Sequence, residues 1–494
     1  MLYQSTRNDT LTATASMAIL NGIAPDGGLY MLRDYSALEL PISDFKSLSA
    51  QALSARVLGL LLSDFSQPEI DAIVNSAYHG RFETEELTPL VRVGDAHILE
   101  LFRGPTSAFK DVALSVLPHL ITAARKKNNI TDDVLILTAT SGDTGKAALC
   151  GFADVPGTRI IVFYPEGGVS EVQLSQMITQ EGGNVAVCAI RGNFDDAQSA
   201  VKAVFAAAKS GCVPNGIRLS SANSINIGRL APQVMYYFKA YADLMRSGEI
   251  AAGERINFVV PTGNFGNILA GYIAKRMGLP IAKLVCASNS NNVLTEFIET
   301  GCYNSRRAFV KTASPSMDIL ISSNLERLLF LLCGCCAQKT ALYMDELKQT
   351  GSYTIAPDML DAIKDEFFAG CCTDEKTFGI IGDVYSRFGY LMDTHTAVAY
   401  GVMQQFKANA DNGCRCVVLS TASPYKFCTS VLRSIGGKIH GSEFDVMDEL
   451  CARTNIPVPS GLSMLRGKAV LHTDVIDKTD ILDYVLKKAG TSVW

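Results

Sequence analysis

Lys110 is the side chain in this sequence with the best setting for covalent chemistry. It lies in Arg103-Gly-Pro-Thr-Ser-Ala-Phe-Lys-Asp111, after an apolar strand-like run and near the start of a predicted helix. Apolar neighbours and a helix N-terminus both lower the pKa of an ammonium group, which favours the neutral amine that a Schiff base needs. Most lysines only solvate a surface, so this segment alone suggests a nucleophile without establishing one.

A glycine loop at residues 261–267 is the first candidate for binding a phosphate group. Gly263 and Gly266 lie between a predicted strand, Ile256–Val260, and a helical stretch that ends near Gly278. Glycines allow backbone N–H groups to converge, and the helix dipole adds positive potential at the same point. The same loop is also compatible with a simple tight turn.

A second loop, Thr138-Ala-Thr-Ser-Gly-Asp-Thr-Gly145, also follows a predicted strand and precedes a predicted helix. Its hydroxyl and amide groups suit a small carboxylate, and the structural alternative is that Ser141 or Asp143 caps the helix. The spacing from Gly142 to Lys146, with no Ser or Thr after the lysine, excludes a nucleotide-binding P-loop.

The segment Asn223-Ser-Ile-Asn-Ile-Gly-Arg229 brings an amide, a hydroxyl and a guanidinium group together. These groups suit a second phosphate, which Arg229 is able to bind with two hydrogen bonds. The alternative is a capped helix with a solvated arginine.

The strands and helices that position these segments alternate along the chain from about His97 onward. Short β-rich runs alternate with helix-like stretches, which predicts parallel sheets covered by helices. Sheets of this kind place ligands at the carboxyl ends of their strands, where the loops above begin. The predicted strands are ILELF, VLILTA, RIIVFY, VAVCAI, INFVVP, KLVCAS and CVVLST.

Composition narrows the class of protein. The chain has 494 residues, a hydrophobic fraction of 48%, and 44 basic against 49 acidic residues. This balance, without a long basic run, gives no reason to expect nucleic acid or an anionic membrane as a partner. Six histidines, none paired at metal spacing, predict no metal site.

The 14 cysteines are scattered, and the first ten residues do not resemble a secretory signal. We therefore expect free thiols in a reducing compartment, the cytoplasm. Cys333 and Cys336 form a C-x-x-C in an apolar run that is roughly half of the ~20 residues needed to span a membrane. We expect that run to pack as a buried helix.

Several motifs in register resemble the threonine synthase family: APDGGLY, FRGPTSAFKD, TATSGDTG, SSANSINIGR, PTGNFGN, SPSMDI, DTHTAVAY and STASPYKF. The resemblance covers essentially the whole chain and implies an α/β architecture of fold type II, in which two parallel-sheet domains bind pyridoxal phosphate. It predicts an N-terminal, mostly helical region at 1–96, a smaller domain at 97–215 with Lys110 and the substrate-carboxylate loop, and a larger domain at 216–494.

The resemblance also implies roles for individual residues. Lys110 is the catalytic residue and carries the cofactor, Thr421 is the partner of the pyridine nitrogen, and Asp143 lies near the phenolic oxygen. A hydroxyl at Thr421 suits elimination and replacement better than transamination. The cofactor phosphate is assigned to Gly263, Asn264, Phe265, Gly266 and Asn267, the substrate carboxylate to Thr140, Ser141, Gly142 and Thr144, and the substrate phosphate to Asn223, Ser224 and Arg229 with help from Lys146.

Two positions differ from the family's usual sequence. Arg103 replaces a histidine that is common before Gly-Pro-Thr, and Ser423 replaces the histidine of the family's Thr-Ala-His-Pro motif. Arg103 either adds positive charge near the site or points away from it. Thr421 has an alternative role as the cap of a helix that enters Pro424.

The implied reaction converts O-phosphohomoserine and water to threonine and phosphate, the last step of threonine biosynthesis. Two alternatives remain open: a phospholyase of the same fold that releases a 2-oxo acid, and a catalytically silent paralogue. The presence of Lys110, the glycine loop and Thr421 argues against the silent protein. The sequence predicts neither the oligomeric state nor an effector.

Overall fold

A computed structural model describes residues 1–140, 142–208 and 211–491. The strands are β1 (Tyr3–Ser5), β2 (Asn8–Ala13), β3 (Tyr30–Met31), β4 (Leu90–Val93), β5 (Ala96–Glu100), β6 (Asp133–Ala139), β7 (Thr158–Pro165), β8 (Val185–Arg191), β9 (Ile217–Ser220), β10 (Ile256–Pro261), β11 (Ile281–Ser288), β12 (Cys302–Asn304), β13 (Ser352–Thr354), β14 (Phe367–Cys371), β15 (Cys416–Ser420) and β16 (Asp474–Asp477).

The helices that cover and connect these strands are α1 (Ala15–Asn21), α2 (Ile42–Phe45), α3 (Ala50–Leu61), α4 (Gln67–Tyr78), α5 (Lys110–Leu114), α6 (Leu117–Lys127), α7 (Asp143–Phe152), α8 (Glu171–Ile178), α9 (Phe194–Ala208), α10 (Ile227–Leu230), α11 (Met235–Arg246), α12 (Gly266–Arg276), α13 (Val293–Thr300), α14 (Leu325–Leu332), α15 (Ala337–Thr350), α16 (Pro357–Glu366), α17 (Asp374–Phe388), α18 (Thr394–Ala410), α19 (Cys428–Ser434), α20 (Glu443–Thr454), α21 (Ser460–Ser463) and α22 (Ile481–Ala489). Short 3₁₀ helices lie at Ser36–Leu38, Ala231–Val234, Pro315–Met317, Pro424–Phe427 and Lys478–Asp480.

The larger sheet has six strands in the order β14–β11–β10–β15–β5–β4. Neighbouring strands are parallel except for β4, which pairs with β5 in the antiparallel sense. Every residue of β10 and β15 is buried. This burial explains why these strands read as continuous apolar runs and not as alternating patterns.

The smaller sheet has the order β16–β8–β7–β6–β9, and all its strands are parallel. The helices α7 and α8 follow β6 and β7, as expected for alternating strands and helices. All seven strands predicted from the sequence are observed, and the two-sheet α/β fold class is confirmed.

The N-terminal region is mostly helical, as predicted, with α1 to α4 arranged beside a small antiparallel sheet of order β2–β1–β3. Local signals start these helices: Ser66 and Glu69 form a capping box before α4, and the Ser49 hydroxyl caps α3. The domain boundaries at 96/97 and 215/216 stay predictions. The strand β5 lies at the start of the predicted smaller domain but pairs within the larger sheet. The strand β16 lies in the predicted larger domain but pairs within the smaller sheet.

The apolar run around Cys333 forms the mostly buried helix α14 and ends in a turn before α15. All 14 cysteines lie in described residues and are free thiols. Among residues 1–140, 142–208 and 211–491, no group of His, Cys, Asp and Glu is arranged to hold a metal ion. No helix in the described ranges combines the length and apolar character needed to cross a membrane.

Candidate active site

The loop before Lys110 is joined to the segment that follows β15. The backbone N–H of Phe109 donates to the carbonyl of Thr421 at 2.8 Å, and that of Ser423 donates to the carbonyl of Ser107 at 3.1 Å. Ser107 itself adopts a positive φ of 59°. These contacts place the backbone of Thr421 against the residue that precedes Lys110.

The Lys110 amine is buried, as the sequence predicted for a nucleophile. Its Nζ donates to Ser316 Oγ at 3.3 Å and lies 3.7 Å from Asp143 Oδ2. Burial lowers the pKa of Lys110 to about 8, helped by the positive charges of Arg229 and Lys426 and opposed by Asp143. A substantial fraction of the amine is therefore neutral near physiological pH.

Asp143 is the buried carboxylate of this cluster. Its Oδ1 lies 2.7 Å from Lys426 Nζ and accepts a hydrogen bond from Gln173 Nε2 at 2.9 Å. Burial alone would raise the pKa of Asp143, but the ammonium groups of Lys426 and Lys110 hold it well below its usual range. Asp143 is therefore an anion. Its side chain does not cap α7, so the alternative that Asp143 is the helix cap is wrong.

The glycine loop leads into the first turn of α12 at Gly266. Phe265 adopts a left-handed conformation with φ of 60°, which turns the backbone into the helix. At Gly263 a Cβ atom would lie 2.8 Å from the Ser316 carbonyl oxygen, and the Ser322 hydroxyl donates to the Gly263 carbonyl at 2.7 Å. The close approach of two backbones explains why this position is glycine.

Asn267, in the first turn of α12, leaves a buried donor without a partner. Its Oδ1 accepts hydrogen bonds from the hydroxyls of Tyr236 at 2.6 Å and Tyr237 at 2.9 Å. Its Nδ2 is buried and has no hydrogen-bond partner among the described residues. Buried donors are normally satisfied, so this amide, next to the free N–H groups of a helix start, fits an anionic ligand.

Arg229 is a buried cation without a carboxylate. It is 5% exposed, its NH1 donates to the Ala222 carbonyl at 2.8 Å, and no ion pair forms with it in the described part of the chain. Burial lowers its pKa to about 10. The alternative of a solvated arginine is wrong, although Asn226 does cap the short helix that carries Arg229.

The segment of Arg229 is tied to the glycine loop through Asn324. Asn324 Nδ2 donates to Ser224 Oγ at 3.1 Å and to the Asn264 carbonyl at 3.0 Å. The side chain of Asn223 is half-buried. The two predicted phosphate sites are therefore neighbours.

The Thr140 loop uses its own hydroxyl for folding. Thr140 Oγ1 accepts hydrogen bonds from the N–H groups of Gly142 at 3.0 Å and Gly145 at 2.9 Å. Gly142 has φ of 136°, and Gln173 fills the space where its Cβ would lie. Thr144 is half-buried, and Ser141 lies outside the described residues.

Lys146, on the same helix as Asp143, is buried and donates to Gln180 Oε1 at 2.6 Å. Burial lowers its pKa. Among the described residues, no hydrogen bond or ion pair joins Lys146 to Lys110 or Arg229, so its suggested role in phosphate binding stays a prediction.

Arg103 and Ser423, the two residues that differ from the family's usual sequence, both have partners in the structure. Arg103 donates to Glu100 Oε2 at 2.6 Å and lies 3.1 Å from Glu83, so nearby carboxylates compensate its charge. The Ser423 hydroxyl accepts from the Tyr425 N–H at 3.3 Å and caps the 3₁₀ helix Pro424–Phe427. The cap is therefore Ser423, and the capping alternative for Thr421 is wrong.

Sequence reasoning missed four residues of this cluster. Ser316 contacts Lys110, Lys426 contacts Asp143, and Asn324 joins the two phosphate segments. His395 Nε2 accepts the Ser316 N–H at 3.2 Å, while its Nδ1 lies 2.7 Å from Asp393. Ser316, His395 and Lys426 lie in the family motifs SPSMDI, DTHTAVAY and STASPYKF, respectively. Those motifs were the sequence signal that could have identified them.

The cluster as a whole suits an anionic ligand with a reactive carbonyl group. Lys110, Lys426 and Arg229 supply three buried cations; Asp143 faces Lys110 and Lys426, and the buried carboxylate of Asp111 also interacts with Lys426. The unpartnered Asn267 amide and the start of α12 add donors suited to a phosphate. These residues fit pyridoxal phosphate, which carries both an aldehyde and a phosphate.

Family models cover most of the chain. The model described as "Pyridoxal-phosphate dependent enzyme" matches residues 84–422, "Threonine synthase N terminus" matches 2–78, and "Threonine synthase, C-terminal" matches 396–459. Threonine synthase-like 1 from Homo sapiens is 37% identical over 438 residues, which are 85% of this chain and 58% of that protein. The chain thus spans less than two thirds of that relative's length.

Two further relatives are covered almost completely. Threonine synthase from Saccharomyces cerevisiae is 34% identical over 91% of this chain and 92% of that protein. The crystal structure of pyridoxal-phosphate-bound threonine synthase from Brucella melitensis superposes with a TM-score of 0.87 and 36% identity, over 99% of this chain and 100% of that one. The chain therefore belongs to the threonine synthase family of pyridoxal-phosphate-dependent enzymes.

Proposed function

We propose that this protein is a threonine synthase that binds pyridoxal phosphate on Lys110 and converts O-phosphohomoserine and water to L-threonine and phosphate. The observation that carries the proposal is that two buried basic side chains occur in the same cluster. Lys110 has a lowered pKa and is readily deprotonated, and Arg229 is a cation without a carboxylate partner among the described residues. A nucleophilic amine and a separate anion site are what a phosphorylated amino-acid substrate and this cofactor require.

The proposed cofactor contacts follow from the described geometry. Lys110 supplies the covalent link, while the start of α12 and the Asn267 amide bind the cofactor phosphate through N–H donors. Thr421, held beside Phe109, is assigned to the pyridine nitrogen, and Asp143 to the phenolic oxygen. When bound, pyridoxal phosphate supplies an electron sink for negative charge at the substrate carbon next to the amino group.

Lys110 is proposed as the group that moves protons once the substrate has taken its place on the cofactor. Its amine removes the proton from the substrate Cα, since a pKa of about 8 leaves about a fifth of that amine neutral at about pH 7.4, far more than for an exposed lysine. The Ser316 hydroxyl accepts a hydrogen bond from Nζ and keeps the amine in position. Later proton transfers at the neighbouring substrate carbons are assigned to the same amine.

Arg229 is proposed to bind the substrate's phosphate and to stabilise the charge that develops as the phosphate leaves. Asn223 and Ser224 add neutral donors on the same segment, and Lys146 is the more distant candidate. Thr140, Ser141, Gly142 and Thr144 are assigned to the substrate carboxylate. Because the N–H groups of Gly142 and Gly145 already donate to Thr140 Oγ1, we expect the O–H of Thr140, which is left to donate, to contribute to carboxylate binding.

Incubation of the purified protein with pyridoxal phosphate and O-phosphohomoserine tests this proposal directly. We expect equal amounts of L-threonine and phosphate, measured by chromatography and a phosphate assay. Release of 2-oxobutanoate instead of threonine would establish the phospholyase alternative, and no phosphate release would establish a silent paralogue. Arg387→Met, which changes an exposed arginine paired with Asp383, serves as a control with unchanged activity.

We also propose where the protein is located and which kind of partner it binds. A reducing, cytoplasmic location is supported by the free state of all 14 cysteines. The substrate is a small molecule, and the charge balance supports neither nucleic acid nor a membrane as partner.

A further inference from the structure

Two buried lysines face the same carboxylate. Lys426 Nζ lies 2.7 Å from Asp143 Oδ1, whereas Lys110 Nζ lies 3.7 Å from Asp143 Oδ2. Lys426 also donates to the Thr106 carbonyl at 3.1 Å, and its side chain is fully buried. Nothing in the proposed reaction yet uses this second lysine.

The shorter contact belongs to Lys426. Oδ1 of Asp143 receives Lys426 and Gln173 at hydrogen-bond distance, while Oδ2 has only longer contacts, to Lys110 at 3.7 Å and to Ser316 Oγ at 3.5 Å. Coulombic attraction varies as the inverse of the separation, so the attraction at 2.7 Å is about 1.4 times that at 3.7 Å in the same surroundings. Lys426 is therefore the stronger of the two cationic partners of Asp143.

The charges that face Lys110 come from three elements. Asp143 lies on α7, Arg229 on α10 and Lys426 on the 3₁₀ helix after β15. The adjacent Asp111 directs its carboxylate to the Thr106 N–H at 2.8 Å, and the contact from the 3₁₀ helix Pro315–Met317 is the neutral Ser316 hydroxyl. Lys110 therefore has two cationic neighbours, and the carboxylate that faces it, Asp143, is shared with Lys426.

We propose that Lys426 is a positioning residue that occupies Asp143 and thereby leaves the Lys110 amine free to lose its proton and attack the cofactor aldehyde. The inference rests on the proposed attachment of pyridoxal phosphate to Lys110 and deepens it. In that step the amine nitrogen bonds to the aldehyde carbon, and the aldehyde oxygen leaves as water with the two amine hydrogens. The step needs neither an oxidant nor a reductant.

Lys426→Met is the main test. Without its nearer partner, Asp143 is left to Lys110, which becomes a paired ammonium ion that attacks the aldehyde only at higher pH. An opposite charge within this range shifts a pKa by about 1 to 3. We therefore expect the pH midpoint of the attachment rate to rise by about 1 or more from the wild-type value near 8, with recovery of the rate at alkaline pH.

The measurement is the growth of the visible absorbance of lysine-bound cofactor after apoprotein and pyridoxal phosphate are mixed, from about pH 6 to about pH 10. Lys426→Arg keeps the charge and should keep the midpoint. The double variant Lys426→Met with Asp143→Asn removes both charges and should bring the midpoint back to the wild-type value or below. Lys239→Met, which removes another buried lysine paired with an aspartate, is the matched control.

An unchanged midpoint in Lys426→Met, or slow attachment at every pH, would overturn the proposal and leave Lys426 a structural role. Should Lys426→Met not fold, Lys426→Gln, which donates a hydrogen bond without a charge, carries the same expectation. Failure of the wild-type protein to attach the cofactor at Lys110 is a different result, since it contradicts the proposed function before any variant is compared.

Discussion

Replacement of Arg229 by methionine should reduce activity without reducing stability. Burial lowers the pKa of Arg229 from its ordinary value of 12.5 to about 10. Since the side chain is charged in both the folded and the unfolded chain at neutral pH, this difference corresponds to roughly 3 kcal/mol of destabilisation of the folded state. The penalty is present at all pH values below about 10 and is relieved only above it.

Methionine removes this penalty and fills a similar volume, but it also loses the hydrogen bond to the Ala222 carbonyl at 2.8 Å. A hydrogen bond from a charged donor contributes about 1.5 to 3 kcal/mol. The two effects nearly offset, so we expect the free energy of unfolding of the unliganded variant to stay unchanged or to rise by up to about 1.5 kcal/mol.

Activity should fall in the same variant, because the substrate phosphate loses a charge-assisted, bidentate partner. A loss of about 2 to 4 kcal/mol in transition-state binding corresponds to a decrease in kcat/KM of about 30- to 1,000-fold. Cofactor content should not change, since Arg229 is assigned to the substrate's phosphate.

Urea unfolding of the unliganded protein and initial rates of phosphate release measure the two quantities. Inorganic phosphate should raise the thermal midpoint of the wild-type protein more than that of the variant. A variant that is less stable by more than about 1 kcal/mol and has a normal kcat/KM would refute the reasoning, because Arg229 would then be a structural residue.

Three further variants test other parts of the site. Lys110→Ala should abolish covalent attachment of the cofactor, and borohydride reduction with peptide mapping would contradict the assignment if another lysine were labelled. Gly263→Ala places a Cβ 2.8 Å from the Ser316 carbonyl, so cofactor affinity should fall about tenfold or more, whereas Gly379→Ala, with open space around it, should have no effect. Thr421→Asp should raise the pKa of the cofactor's ring nitrogen and slow phosphate release, with Thr421→Ser close to wild type; equal turnover of all three proteins would remove Thr421 from the site.

The fold was predictable from the sequence where burial is complete. Strands such as β6 and β10 are buried on both faces, so their Val, Ile and Leu runs stand out from the helices around them. The strands β9 and β16 were missed because they have four residues each and are only partly covered. The alternation in β9 (IRLS) is too short to stand out, and β16 (DVID) has neither an apolar run nor an alternation.

Local signals also indicated several of the segments that the structure brings together, although the roles of their residues stay predictions. Lys110 and the glycine loop each lie at a strand–loop–helix junction, which is a pattern within about fifteen residues of sequence. Ser316 lies 206 residues from Lys110, and its role depends on how the chain returns to the same point. Similarly, the sequence contained Arg229 but could not show that burial would leave it without a carboxylate, and so the solvated alternative stayed open.

The pairing of β16 with β8 has a consequence for how the chain is made. From synthesis of β8 at Val185–Arg191 until β16 emerges at Asp474–Asp477, the nascent smaller sheet presents an unpaired edge formed by the apolar segment VAVCAI. Unprotected edges of this kind pair with other chains. We therefore expect ribosome-bound or truncated chains that stop before Asp474 to need a chaperone or to aggregate, although they already contain Lys110, Asp143 and Arg229.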